Sequence, residues 1–296
     1  VNAPIVTSLA ISSDVRNPAG VWTPNQARQV LSYTTSVGGS IAAAEFFNEP
    51  SYASIGGAPK GYTAADYARD FAVFRAFARE AAPGMVIVGP GSVGESGALA
   101  TAKGMPLLHT AELLAATPHT KFDVYSYHSY AAASIRCASL GAGTQTSAGA
   151  ALSNQWLSRP DEIYTFYVGL RNRYEPGRPV WITETADAAC GGNPWASTFL
   201  DTFRYLDQLG RLAKRSVQVV FHNTLASSAY GLLDENTFSP RPNYWAALLW
   251  HRLMGDVVLN AGASPGALHI YAHCLPGHDG GVTILAINTS KMQPQS

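Results

Sequence analysis

The chain repeats one local pattern six times: a short β-branched or aromatic run, then a longer stretch of helical period. Such alternation makes βαβ units, whose parallel strands are covered by helices. The strand-like runs are 4–11, 41–48, 85–89, 122–127, 180–183 and 217–222. Helices are expected over 24–37, from 63 onward, and over 107–117, 161–173, 197–212 and 244–254. Thr23 is the expected N-cap of the first, with Pro24 at its first turn. Thr63 caps the second, whose Tyr67, Phe71, Phe74 and Phe77 share one stripe and read as core.

An eight-unit barrel runs to about 250 residues. Here the first 255 of 296 residues go to six units. That spacing fits an open α/β sheet or a barrel without its first two units. From residue 256 the texture changes: 257–259, 268–274 and 281–288 read as antiparallel strands joined by a Gly/Asp turn. The expected division is therefore a barrel-type catalytic domain over 1–255, the start of a β-domain over 256–290, and an unstructured tail over 291–296. A Gly/Ala/Ser/Thr-rich segment, 131–152, is long for a connector and is expected to lie over a site.

Charge narrows the partners. Twenty Lys and Arg balance twenty Asp and Glu, which leaves no net field to hold a polyanion such as nucleic acid. No apolar stretch reaches the roughly 18 residues of a membrane span. The start, Val1-Asn2-Ala3-Pro4, has no signal-peptide pattern, and a chain beginning at Val reads as cut from something longer. Cys137, Cys190 and Cys274 allow at most one disulfide and have no Cys-x-x-Cys spacing; the plain alternative is buried thiols acting as small hydrophobes. His, Asp and Glu show no metal-ligand spacing, so neither metal nor other cofactor is expected.

Two glutamates carry the chemistry. Glu49 follows the second strand-like run and Glu184 the fifth. In a parallel sheet or barrel the carboxyl ends of all strands lie on one face, so both carboxylates are expected in one crevice. A carboxyl pair is the minimum apparatus for glycoside hydrolysis: one donates a proton to the leaving oxygen, the other attacks the anomeric carbon. Tyr125, Tyr127, His128 and Tyr130 crowd the intervening strand end, and Trp181 and Trp195 flank Glu184; such rings either stack on sugars or fill core. His128 can hydrogen-bond and tune either carboxylate. His222 either reaches the crevice or is a bonded core histidine.

The motifs Ala44-Glu45-Phe46-Phe47-Asn48-Glu49-Pro50, Asp123-Val124-Tyr125-Ser126-Tyr127-His128-Ser129-Tyr130, Glu184-Thr185 with Ala189-Cys190-Gly191-Gly192, and Tyr230-Gly231-Leu232-Leu233-Asp234 with the 243–255 segment resemble, in order, the heparanase-like enzymes of glycoside hydrolase family 79. The last motif is closest to the plant branch. The resemblance implies an α/β fold: a (β/α)8 TIM barrel, here lacking its first two βα units, followed by part of a C-terminal β-sandwich. It implies cleavage of β-linked glucuronic acid with retention, Glu49 as acid/base and Glu184 as nucleophile. Asn48 is implied at the sugar 2-hydroxyl, Tyr130 and Tyr230 along the sugar pocket with His128 beside them, and Gly191 and Gly192 as backbone amides near the substrate carboxylate. The family's first two strands, with an acidic sugar contact, have no counterpart, which points to a separate N-terminal segment completing the barrel. Relative to the animal enzymes, the segment from Glu184 to Gly191 is one residue longer and carries Cys190 in place of a tyrosine. Cys137 and Cys190 fall in loops above adjacent strands, which leaves a disulfide between them open.

The implied substrate is a glucuronic-acid-containing glycoside or oligosaccharide, and family resemblance favours a secreted or periplasmic setting. Lys60, Arg136 and Arg241 are isolated and form no dense cluster for a sulfated chain. Two other readings stay open: an inactive or partial chain that at most binds carbohydrate, and a retaining β-glycosidase of another family in the clan.

Overall fold

The computed structural model describes residues 3–263 and 266–295. Val1, Asn2 and Ser296, the ends of the segments read above as a cut start and a tail, lie outside the described residues. In chain order the elements are β1 (Ile5–Ser8), α1 (Asn25–Ser36), β2 (Ile41–Glu45), α2 (Ala64–Ala81), β3 (Val86–Ser92), α3 (Thr110–Ala115), β4 (Val124–Tyr130), α4 (Asn154–Leu157), α5 (Arg159–Tyr174), β5 (Val180–Ala186), α6 (Phe199–Lys214), β6 (Val219–His222) and α7 (Pro242–Leu253). Then come β7 (Val258–Leu259), β8 (Leu268–Cys274) and β9 (Val282–Asn288).

The first six strands form one sheet in the order β1-β2-β3-β4-β5-β6, and β7, β8 and β9 form a second. Pairing of β1 with β2, β2 with β3 and β3 with β4 is parallel. A sheet whose strands follow chain order, with a helix on each crossover, is the run of βα units from which a (β/α)8 barrel is built. β8 pairs antiparallel with β7 and β9, in continuous register from Leu268 opposite Asn288 to Cys274 opposite Val282. The chain divides into two compact units: 1–95, 104–128 and 166–183; and 96–103, 129–165 and 184–296. β4 and β5 run from the first unit into the second, and residue 255 lies within the second.

In the first unit the aromatic stripe of α2 makes the core. Tyr67, Phe71, Phe74 and Phe77 are all buried. Phe46 stacks on Phe74 at 5.3 Å between centroids, and Phe71 meets Phe122 edge-on at 5.0 Å. Thr63 starts α2 with a capping box: its Oγ1 accepts from Asp66 N at 3.2 Å, and Asp66 Oδ2 accepts from Thr63 N at 3.0 Å. The expected Thr23 cap does not form. Thr23 Oγ1 donates instead to Val15 O at 3.0 Å, and Pro24 takes the cap position of α1. In the second unit, Met254, Tyr271 and Ile287 pack with Phe203, Leu206, Trp250 and Leu285, joining α6 and α7 to one face of the antiparallel sheet. Among the described residues no helix is long and apolar enough to cross a membrane.

Candidate active site

In the first unit the acidic group is built around the end of β2. Glu45 closes the strand inside an apolar run and is buried. A buried carboxylate needs partners, and it has them: Ser126 Oγ donates at 2.6 Å, Thr183 Oγ1 donates at 2.5 Å, and His128 Nε2 lies 3.6 Å from Oε2. Gly91 on β3 leaves room for this carboxylate, since a Cβ there would come within 2.8 Å of it. Four residues beyond the end of β2, Glu49 adopts a left-handed conformation (φ 48°, ψ 61°) ahead of the turn Pro50–Tyr52, a backbone state uncommon outside glycine. Its Oε1 is 3.1 Å from His128 Nδ1.

His128 thus lies between two carboxylates and is only 2% exposed. Burial pushes its pKa down, but hydrogen bonds to Glu45 and Glu49 and their charges outweigh that and raise it to about 10. For Glu45, burial raises the pKa, and the hydrogen bond and charge of His128, with Ser126 and Thr183, bring it below the ordinary value. The carboxylates on either side therefore favour the protonated, cationic imidazole. Asn48 is exposed beside Glu49. Tyr125 and Tyr127 are fully buried, with Tyr127 stacked on Tyr167 at 4.7 Å, and Trp181 packs against Ala43, Val88 and Val124. These rings fill core. Period-two alternation along β4 explains the sorting, because Ser126, His128 and Tyr130 share the face opposite Tyr125 and Tyr127.

In the second unit Glu184 lies within β5 rather than after it. Tyr130 OH donates to Glu184 Oε1, and Asn223 Nδ2, just past β6, donates to the same oxygen at 3.1 Å. Asn223 Nδ2 also lies 2.9 Å from Tyr130 OH and 3.2 Å from Tyr230 OH. Burial and the charge of Glu184 drive the Tyr130 pKa well above the usual phenol value, so it stays a donor. His222 Nε2 is 2.8 Å from Tyr230 O, and burial lowers its pKa to about 4, so the neutral ring acts as a bonded support for Tyr230. Gly191 and Gly192 follow β5 with φ of 82° and 81°. A Cβ on Gly192 would meet Tyr230 Cδ1 at 2.8 Å. Cys137 and Cys190 are disulfide-bonded, with Cα atoms 6.3 Å apart. Cys274 is free. Arg241 is held by Asp234 Oδ2 at 3.2 Å and by the carbonyls of Ser228 and Ala229.

Glu45 and Asn223 are partners that sequence reasoning did not single out. One charge in the apolar run of β2 was the available signal for the first; for Asn223 it was the place just past the strand-like run 217–222.

Residues 9–210 match glycosyl hydrolase family 79, N-terminal domain. The chain belongs to glycoside hydrolase family 79. It is similar to heparanase-like protein 1 of Arabidopsis thaliana, 31% identical over 279 residues, covering 92% of this chain and 47% of that protein. Baicalin-beta-D-glucuronidase of Scutellaria baicalensis is 38% identical over 129 residues, covering 42% of this chain and 24% of that one. Among solved structures, a 4-O-alpha-L-rhamnosyl-beta-D-glucuronidase from Fusarium oxysporum matches with a TM-score of 0.61 at 14% identity, covering 100% of this chain and 60% of that one. At that identity the likeness concerns the fold, the TIM barrel of this glycosidase clan. The family 79 chain spans about half the length of the heparanase-like relative.

Proposed function

We propose that the protein is a retaining β-glucuronidase or heparanase-like endo-glucuronidase using Glu49 and Glu184. The observation that carries this reading is the Glu184 carboxylate, held by Tyr130 and Asn223 within one unit that also contains Tyr230 and the Gly191–Gly192 turn. Two aimed donors fix the carboxylate in one rotamer, the requirement for a nucleophile that must meet a single carbon. In the first step Glu184 attacks C1 of the glucuronosyl unit while Glu49 protonates the departing glycosidic oxygen. In the second, Glu49 takes a proton from water, the resulting hydroxide attacks C1, and the bond to Glu184 breaks. Asn48 is placed by this reading at the sugar 2-hydroxyl, and the Gly191 and Gly192 amides at the sugar carboxylate. The likeness to baicalin-beta-D-glucuronidase of Scutellaria baicalensis supports a glucuronide substrate.

The test is turnover of an aryl β-glucuronide and an aryl β-glucoside by wild-type protein and Glu184→Gln. The reading predicts preference for the glucuronide and loss of turnover in the variant by at least about 10³-fold, the scale for removing a group that forms the covalent intermediate. Wild-type rates in Glu184→Gln sink the assignment. Preference for neutral glycosides transfers it to another retaining family of the clan, and carbohydrate binding without turnover supports the inactive or partial chain.

A further inference from the structure

Two loops of the second unit are fastened together more densely than a turn requires. Ala189 N donates to Ala132 O at 2.8 Å and Ser134 N to Ala189 O at 2.9 Å. Ile135 N reaches Asn193 Oδ1 at 3.3 Å, and the disulfide joins Cys137 to Cys190. One residue before Cys137, the Arg136 guanidinium donates through one nitrogen to Gly191 O at 2.8 Å and Gly192 O at 3.0 Å. Ala229 N supplies a second donor to Gly191 O at 2.9 Å, and Ser134 Oγ a second to Gly192 O at 2.6 Å. Both carbonyls are therefore fully used, since each oxygen offers two lone pairs.

This has a geometric consequence. In a trans peptide the carbonyl and the following N–H point in opposite directions. With the carbonyl of the Gly191–Gly192 peptide drawn to Arg136 and Ala229, the Gly192 N–H is turned the other way. The next amide, Asn193 N, is spent on Asp187 Oδ2 at 3.1 Å, whereas Gly192 N–H meets no protein acceptor among the described residues. The remaining guanidinium nitrogens of the exposed Arg136 have no carboxylate partner there either. A fixed backbone donor with a cation on the far side of its peptide suits a carboxylate.

We propose that Arg136 is a positioning and specificity-determining residue: by pinning the Gly191 and Gly192 carbonyls it presents the Gly192 amide, with its own positive charge behind it, to the carboxylate of a uronic-acid ring. The proposal rests on the reading of the Glu184 half-site as the sugar subsite. It also accounts for uronate recognition by a chain of zero net charge, because the cation is delivered locally.

The experiment compares Arg136→Gln and Arg136→Lys with wild type on 4-nitrophenyl β-glucuronide and 4-nitrophenyl β-glucoside, with binding of free glucuronate and glucose measured by calorimetry. Arg136→Gln should raise KM for the glucuronide by about 10- to 100-fold, the range for losing the hydrogen bond from the no longer oriented Gly192 N–H to a charged carboxylate. Its kcat and its handling of the glucoside should stay near wild type, and its glucuronate affinity should fall in step. Arg136→Lys, which keeps the charge without the fork, should recover part of the KM. Equal losses on both substrates mean a merely structural role and overturn the proposal, as does an unchanged glucuronide KM. Uronide selectivity that survives Arg136→Gln removes Arg136 and leaves the glucuronidase reading standing; a wild-type protein that neither cleaves nor binds glucuronides removes both.

Discussion

Glu49 and Asp187 show how residues of one type are given different behaviour by their neighbours. Glu49 projects from a left-handed turn and meets His128, whose proton is retained by flanking carboxylates. If Glu49 is the acid/base, Glu49→Gln should spare kcat/KM for nitrophenyl glucuronides, whose leaving groups need little protonation, while kcat falls because hydrolysis of the intermediate has lost its base. Alkyl or sugar glucuronides should lose kcat/KM by a further factor of about 10² or more. Rates measured across a series of leaving groups check this, and equal loss along the series argues against the role. Asp187 is buried, with no hydrogen-bond partner for Oδ1 among the described residues, and burial together with the Asp201 charge raises its pKa to about 7. A folded-state pKa above the unfolded value means the native protein holds the extra proton between about pH 4 and 7. This group's contribution to stability is therefore present in acid and lost as pH rises through that window, by roughly 1.4 kcal/mol per pKa unit of the upward displacement. Urea midpoints for Asp187→Asn should show a flatter pH dependence than wild type from pH 4 to 7. At this scale the place of Glu49 just past β2 was legible in the sequence, whereas Glu184 was read after its strand and lies inside it. Glu45 was not legible, because its burial depends on Ser126, His128 and Thr183, distant in sequence and brought to it by strand order.

At the scale of elements, helical periodicity and capping chemistry carried the reading furthest. The Thr63 box and the aromatic stripe of α2 form as local rules require, and β8 matches the run seen in sequence at both ends. The misplacement at α1 comes from competition: the Thr23 hydroxyl donates to Val15 O, and the helix starts one residue later with Pro24 at the cap position. Glu184 falls inside β5 because the strand continues through Thr185 and Ala186, which are polar and small and look like a loop without their neighbours. The packing of α2 predicts its own test. Phe74 is fully buried and meets Trp22, Phe46 and Phe71. Phe74→Ala should lower unfolding free energy by about 3–5 kcal/mol through lost transfer and the cavity left behind, read as a shift of the denaturation midpoint. A shift under about 1 kcal/mol would mean that this cluster is not the core of its unit.

For the molecule as a whole, the sequence separated an α/β region from an antiparallel one, but periodicity alone left an open sheet and a barrel as alternatives. Only strand order and likeness in fold decide, since both architectures use the same βα unit. The antiparallel sheet is two-faced. Its inward face packs on α6 and α7, while Val282 and Ile284, both exposed, lie on the other, where an apolar layer would bury them. The central claim, that Glu184 is the nucleophile of a retaining glucuronidase, is tested most directly by incubating the protein with a 2-deoxy-2-fluoro-β-glucuronosyl fluoride and mapping the adduct by mass spectrometry. The account predicts one glucuronosyl group per chain, on the peptide carrying Glu184. A protein that stays unlabelled, or is labelled at another carboxylate, contradicts it.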